Sequence, residues 1–430
     1  MKICVVGTGY VGLVSGAVFA DIGHEVICID NNQEKIEKLK AGIMPIFEPG
    51  LKELVDRNTK GGRLSFSSSL EKGVQFAEVI FIAVGTPSLP NGEADLSQVE
   101  EVAKGIAETI DGYKVIVNKS TVPVGTGAWV KKIIKSNQQN PADFDVVSNP
   151  EFLREGSAIH DTLYADRVVI GADNEKAGDL VAEIHRPLNA PIIRTNIPTA
   201  EMIKYASNAF LAMKISYVNG LSNICELLGA DILQVSRGMG LDKRIGKFFL
   251  DAGLGFGGAC FPKDVKALVK ISEKAGYNFE LIKNVISINE RQRFKAVEKL
   301  KEVLGTIEGR TICLWGLSFK PNTNDMREAP SIDICREIQR AGGKVKVYDP
   351  AAMDEAKKYL VDVEYCRNLY EAAAEADAII LVTEWEEFKN VDFNYVKLIM
   401  KSPIIIDGRN LYSMNELPEK GFIYRGIGRG

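Results

Sequence analysis

The stretch from Lys2 to Asp30, KICVVGTGYVGLVSGAVFADIGHEVICID, decides the fold. It opens with KICVV, a run of apolar and β-branched residues without a polar face, as a strand covered on both sides requires. Gly7, Gly9 and Gly12 follow as G-T-G-Y-V-G, then a helical stretch, then a second buried strand ending at Asp30. In that setting Gly7 permits a tight turn, Gly9 lets a pyrophosphate approach backbone N–H groups, and Gly12 lets helix and strand pack closely. Glycines alone could merely shape a turn, but strand, turn, helix and acid agree in position. Asp30 lies eighteen residues beyond Gly12, where it can accept a hydrogen bond from a ribose 2′-OH and would repel a 2′-phosphate. The cofactor expected is therefore NAD.

Strands of the same kind recur at 78–84 (EVIFIAV) and 114–120 (KVIVNKS), and a similar series follows residue 309: RTICLWGLSFK, KVKVYDP, DAIILVTEW and SPIIIDGRN. Strands alternating with helices predict an α/β fold of two doubly wound, Rossmann-like parallel-sheet domains. Asp349 of the second series stands where Asp30 stands in the first, as an old duplication would leave it; convergent βαβ patterning could do the same. Only Gly316 answers the glycine triplet there, so the second domain should bind something other than a dinucleotide. Between them the sequence predicts a helical region with one long helix from Pro198 and Thr199 to Leu228, Thr199 as its N-cap and Gly229 just past its end. The domains expected are 1–198, 199–300 and 301–430.

The 430 residues carry 53 basic and 57 acidic side chains, a balance that gives no nucleic-acid footprint. The apolar N-terminus lacks a basic leader, and the long helix carries Lys214, Asn219, Asn223 and Glu226, so neither a secretory signal nor a membrane span is expected. Seven cysteines without framework spacing suit a reducing cytoplasm. No metal is called for.

One cysteine stands apart. Cys260 lies in GLGFGGACFPKD, 253–264, after four glycines and before Pro262, a residue suited to a helix's first turn. A helix N-terminus and Lys263 would favour its thiolate, and the glycines at 253, 255, 257 and 258 would leave a substrate room to reach the sulfur. Cys4, Cys28, Cys225, Cys313 and Cys335 read as small buried hydrophobes, while Cys366 says little. A dehydrogenase with a nucleophilic cysteine can carry an alcohol through the aldehyde to the acid: a thiohemiacetal loses a second hydride to become a thioester, which water releases. His24, His160 and His185 lie in no glycine-rich or strand-end context, so they read as packing or surface residues. Lys204 and Asn208, four apart on the long helix, share a face; in the apolar helix start AEMIKYASNAF partial burial would lower the Lys204 pKa or hold it as an oxyanion partner, while the pair taken alone reads as a solvated face.

GTGYVG, GTP at 85–87, STVPVGT at 120–126, NPEFLREGSAI at 149–159, KYASNAFLA at 204–212, GFGGACFPKD at 255–264 and WGLSFKPNTNDMREAPS at 315–331 resemble, in this order, the UDP-glucose 6-dehydrogenases of the UDP-glucose/GDP-mannose dehydrogenase family. The resemblance implies an NAD-dependent, four-electron oxidation of UDP-glucose to UDP-glucuronate by a homodimer. It implies Cys260 as nucleophile, Lys204 and Asn208 as oxyanion partners, Asp264 as the acid that orients water, and Glu151 and Thr121 in water positioning or proton transfer. It does not say which group is the first base. On the cofactor side it implies Gly7, Gly9, Tyr10, Val11, Gly12, Asp30, Lys35, Thr86, Thr121, Glu155, Lys263 and Arg327. On the sugar-nucleotide side it implies Glu151, Phe152, Leu153, Arg154, Glu155, Lys204, Asn208, Phe249, Leu250, Asp251, Ala252, Gly253, Gly257 and Lys320, with Arg244 supplied across a dimer interface.

Ala259, Ala165 and Asn324 depart from the family's usual serine, proline and aspartate, and Asp251 would be unfavourable beside a phosphate if its side chain faced inward. The nearest alternative is the same chemistry on GDP-mannose or UDP-N-acetylmannosamine. A two-electron alcohol dehydrogenase with a structural Cys260 and a nucleotide-binding module without turnover are the more distant ones.

Overall fold

In the computed structural model the apolar runs become strands, and the central strands of each sheet send alternate side chains into two different cores. The structure describes residues 1–139 and 141–429. The strands are β1 (Lys2–Val6), β2 (Glu25–Ile29), β3 (Leu64–Ser67), β4 (Val79–Ile82), β5 (Lys114–Asn118), β6 (Phe144–Ser148), β7 (Val168–Ala172) and β8 (Ile192–Thr195), then β9 (Thr311–Trp315), β10 (Lys344–Tyr348), β11 (Glu364–Tyr365), β12 (Ala378–Leu381), β13 (Ile404–Asp407) and β14 (Ile423–Gly426). Among the described residues they form an eight-stranded sheet, β3-β2-β1-β4-β5-β6-β7-β8, and a six-stranded sheet, β11-β10-β9-β12-β13-β14. The first six strands of the large sheet and all six of the small one share the order 3-2-1-4-5-6 of a dinucleotide-binding fold.

The chain divides into two compact units, residues 1–207 with 266–276, and residues 208–265 with 277–430. In the first, Ile3 and Val5 of β1 enter a core with Val79 and Phe81, while Cys4 and Val6 enter the opposite core with Ile80 and Ile82. In the second, Ile312 and Leu314 of β9 face one core, and Cys313 and Trp315 face the other, where Trp315 stacks on Phe388 at 5.5 Å between centroids. Each such buried side chain contributes about 1.5–3 kcal/mol, which is why the strands read as unbroken apolar runs. One ladder departs from the parallel expectation: β6 pairs antiparallel with β7.

The long helix runs from Ile197 to Leu228, 32 residues or about 48 Å. Its N-cap is not Thr199. Asn196 accepts the Thr199 backbone N–H on Oδ1 at 2.9 Å and the Ala200 N–H on its carbonyl, so the helix begins earlier and Pro198 sits in its first turn. Its C-terminus ends as expected: Gly229 takes φ +71° and Ala230 N–H reaches back to Cys225 O at 2.9 Å. Among the described residues no helix is long and apolar enough to cross a membrane.

Candidate functional site

In the first unit the glycine turn has the shape its spacing implies. Gly7 has φ +105°, and its N–H bonds to Ile29 O at 2.7 Å. A Cβ on Gly7 would strike the Ala83 carbonyl and one on Gly12 the Gly7 carbonyl, whereas a Cβ on Gly9 would meet nothing. Gly9 N-caps the helix Tyr10–Asp21 without a side-chain cap, so open space lies beside the end that binds anions best. These features fit a pyrophosphate. At the end of β2, Asp30 accepts Thr8 N–H at 3.0 Å, Thr8 Oγ1 at 2.7 Å and Lys35 Nζ at 2.9 Å on one oxygen, and Asn32 N–H on the other. Burial alone would raise this carboxyl, but the hydrogen bonds from Lys35, Thr8 and Asn32 outweigh it and hold the group below its ordinary range. An ionised acceptor thus stands just past β2, as hydrogen bonding to a ribose 2′-OH would require.

Further along the same strand ends, Thr86 Oγ1 donates to Thr121 O at 2.9 Å, joining two loops that carry predicted cofactor residues. Tyr10 donates to Phe47 O, while Val11 is half-buried. The segment from Glu151 to Glu155 is pinned throughout. Glu151 accepts the Lys204 ammonium at 3.0 Å and Leu153 N–H at 2.8 Å, and both partners of the ion pair are buried. Removing either would strand a charge, at a cost of about 3–5 kcal/mol. The Arg167 guanidinium covers the Phe152 ring at 3.7 Å, Arg154 is held by Asp161, and Glu155 is buried.

The second unit holds the cysteine. Cys260 directly precedes the helix Phe261–Lys274, accepts Asp264 N–H on its carbonyl at 2.9 Å, and is the cysteine that burial spares. Beside it Asp264, 1% exposed, accepts Asn208 Nδ2 at 2.6 Å and the Lys263 ammonium at 2.6 Å. The four glycines do not open a path to the sulfur. A Cβ on Gly253 would meet Gly408 O, on Gly255 Asn289, on Gly257 the Glu328 carbonyl and on Gly258 the Phe319 ring. Their missing side chains let the loop pack against protein, and Gly258 N–H closes that contact on Arg327 O at 2.8 Å.

Leu250, Ala252 and Gly253 follow Phe249, which adopts φ +63°, and Gly253 N–H bonds to Asn219. Asp251 is exposed; burial and then Glu384 raise its carboxyl, so it looks toward another acid. Lys320 lies over the Phe319 ring, Arg327 is held by Asp325, and Arg244 is held by Asp242 with its side chain 89% exposed. The structure therefore brings Asp30 to Lys35, Thr86 to Thr121, Lys204 to Glu151, and Asn208 and Lys263 to Asp264. It leaves Arg154 and Arg244 paired to acids at the surface.

None of the histidines joins these groups: His24 and His185 are buried against backbone carbonyls and His160 is exposed. Sequence reasoning missed Lys119, whose Nζ donates to Asn149 Oδ1 at 3.0 Å, and two buried glutamates. Glu48 accepts Gly156 and Ala158 N–H at 2.6 and 2.7 Å; Glu201 accepts Gly125 and Gly127 N–H at 2.7 and 2.8 Å. The only signal for Lys119 was a lysine closing the apolar run KVIVN.

A doubly wound domain with an open glycine turn and an ionised acid just past its second strand, joined in one chain to a second domain of the same strand order, defines an NAD-dependent oxidoreductase. Family models agree in sequence: the NAD binding domain of the UDP-glucose/GDP-mannose dehydrogenase family matches residues 1–189, its central domain 198–291 and its UDP binding domain 313–414. The chain belongs to the UDP-glucose/GDP-mannose dehydrogenase family, and its cofactor is NAD. Among curated relatives it is 53% identical to a UDP-glucose 6-dehydrogenase of Bacillus subtilis, covering 100% of this chain and 93% of the relative, and 48% identical to one of Rhizobium meliloti, covering 100% of both. Among solved structures it resembles a UDP-glucose dehydrogenase from Pyrobaculum islandicum, with a TM-score of 0.94 and 38% identity over 100% of this chain and 98% of the other. A UDP-D-ManNAc dehydrogenase from Pyrococcus horikoshii follows, with a TM-score of 0.89 and 30% identity over 100% of both chains.

Proposed function

We propose that the protein oxidises UDP-glucose to UDP-glucuronate in two steps through a covalent adduct on Cys260. The observation that carries this reading is the contrast among the cysteines: six are buried, while Cys260 keeps exposed surface at a helix N-terminus beside Asn208, Lys263 and Asp264. The preference for UDP-glucose over UDP-N-acetylmannosamine is supported by identities of 48–53% to UDP-glucose 6-dehydrogenases against 30% to the UDP-D-ManNAc enzyme.

NAD, when bound by Gly7, Gly9, Gly12 and Asp30, supplies the hydride acceptor for both oxidations. The first oxidation takes the sugar's primary alcohol to an aldehyde. Cys260 Sγ then adds to the aldehyde carbon, and the partial positive charge of the Phe261–Lys274 helix terminus favours the thiolate that does so. Asn208 and Lys204 stabilise the oxyanion of the thiohemiacetal. Loss of the second hydride leaves a thioester, and a water oriented by Asp264 adds to its carbonyl, expelling the Cys260 thiolate and forming the carboxylate. Glu151 holds the Lys204 ammonium, and Thr121 lies on the loop joined to Thr86. The sugar nucleotide is held by the Phe249–Gly253 loop, Gly257 and Lys320.

We place the enzyme in the cytoplasm, which suits the free thiols of its described cysteines. We also propose a homodimer, with Arg244 reaching the partner's site. The division 1–198, 199–300 and 301–430 then corresponds to cofactor, dimerisation and sugar-nucleotide functions.

The Cys260→Ser variant tests the covalent route. A serine hydroxyl stays un-ionised where a thiol gives thiolate, and an ester is a poorer acyl donor than a thioester, so net UDP-glucuronate formation should fall by at least about a thousandfold. Undiminished acid formation would sink the assignment of Cys260.

A further inference from the structure

Strands β5 and β6 end side by side, and a lysine at the first end is enclosed with groups the proposed mechanism uses. Lys119 is 7% exposed, and its ammonium donates to Asn149 Oδ1 at 3.0 Å. Asn149 is fixed in turn, its N–H on Asn118 O at 2.9 Å and its Nδ2 on Val169 O at 2.8 Å. Two residues on, Glu151 receives Lys204 at 3.0 Å and Leu153 N–H at 2.8 Å. A second buried lysine therefore lies within electrostatic reach of the buried Glu151–Lys204 pair, and a buried cation is costly away from water.

We propose that Lys119 is a positioning residue: through Asn149 it fixes the turn carrying Glu151, and its positive charge acts on the Glu151–Lys204 pair. The inference rests on the assignment of Lys204 and Glu151 to the reaction.

The charged and titratable groups around Lys119 come from three elements. Glu151 follows β6, Lys204 lies on the long helix, and His185 closes the helix Glu175–His185. Burial pushes Lys119 down to about 8; Glu151 pulls against that, and Lys204 pushes the same way as burial. Burial and then Lys119 push His185 down to about 3, so it is neutral and adds no charge in the working range. Below about pH 8 Lys119 therefore carries a positive charge inside the fold.

The test is the pH dependence of kcat/KM for UDP-glucose in wild type, Lys119→Gln and Lys119→Arg. Glutamine keeps a donor for Asn149 but removes a cation, which raises the proton affinity of both Glu151 and Lys204. Any limb they govern must then move to higher pH, whichever protonation state acts, by about one unit. Arginine keeps the cation and should keep the wild-type limb. A fall in kcat with the limb unmoved in Lys119→Gln would overturn the proposal, because that is all a structural role produces.

If Lys119→Gln does not fold, the wild-type ammonium decides, followed by ¹⁵N NMR and assigned by its disappearance in Lys119→Arg. Titration near pH 8 supports the proposal, and titration above about 10, the ordinary lysine range, overturns it. That titration needs no turnover, so a chain inactive on UDP-glucose would refute the assigned reaction without deciding the role of Lys119.

Discussion

At the scale of single residues, burial sorts groups that look alike in sequence. Burial pushes Cys28 up to about 12 and Cys335 and Cys366 up to about 11, with neighbouring charges only adjusting these values. Such thiols are inert, and Cys260 was legible against them because Pro262 and Lys263 announced a helix start. Lys119 was not legible, since Asn149 is 30 residues away and only the sheet order makes them neighbours. Nor was Glu201, whose hydrogen-bond partners lie more than 70 residues earlier. Burial pushes the Glu201 carboxyl from 4.5 up to about 7, while the N–H groups of Gly125 and Gly127 pull it back. Between pH 4.5 and about 7 the native state therefore binds more protons than the unfolded one, and stability falls as pH rises, by at most about 1.4 kcal/mol per unit. The contribution is complete below pH 4.5. The Tm of wild type should accordingly decline relative to Glu201→Gln across this window. A difference between the two that stays constant with pH would contradict the assignment.

At the scale of elements, strands and the long helix were read from apolar runs because the same contacts that bury them also define them. Boundaries were less legible: the helix starts at Ile197 because Asn196 offers the better acceptor, one cap residue among several polar candidates. The antiparallel β6–β7 pair was not foreseen, since two consecutive apolar strands do not encode direction. The glycines around Cys260 were seen, but their reason was misread, because which atoms fill the space beside a glycine depends on residues 289, 319 and 328, supplied from far along the chain. The long helix also carries large apolar side chains seven residues apart, Phe210, Tyr217 and Ile224, each more than half exposed, with Leu227 at 86%. A stripe at that spacing suits a helix pairing with its own copy. Light scattering should give about twice the 47.2 kDa chain mass for wild type and the single-chain mass for Tyr217→Asp/Ile224→Asp. A wild type that is monomeric at micromolar concentration would refute the dimer.

At the scale of the whole molecule, the two sheets repeat one strand order, and the repeat extends to chemistry. Asp30 accepts Thr8 N–H just after β1, and Asp349 accepts Leu317 and Ser318 N–H just after β9, at 2.7 and 3.1 Å. In the second unit, however, Trp385 Nε1 also bonds to Asp349 at 3.0 Å, and Gly316 lies tightly against Thr383. The acid is thus absorbed by the protein, as the lone Gly316 suggested, and the matched family model for that region is a UDP binding domain. This much was legible because glycine spacing and strand-end acids are local. How Lys204, Glu151 and Lys119 gather was not, because they come from three distant segments.

The proposed reaction is a four-electron oxidation through one thiol. Its most direct test is the NADH formed per UDP-glucose consumed, at limiting sugar nucleotide and excess NAD, followed by absorbance. A ratio of two, with UDP-glucuronate as the product, is expected; a ratio of one would rule out the four-electron route and leave Cys260 a structural residue.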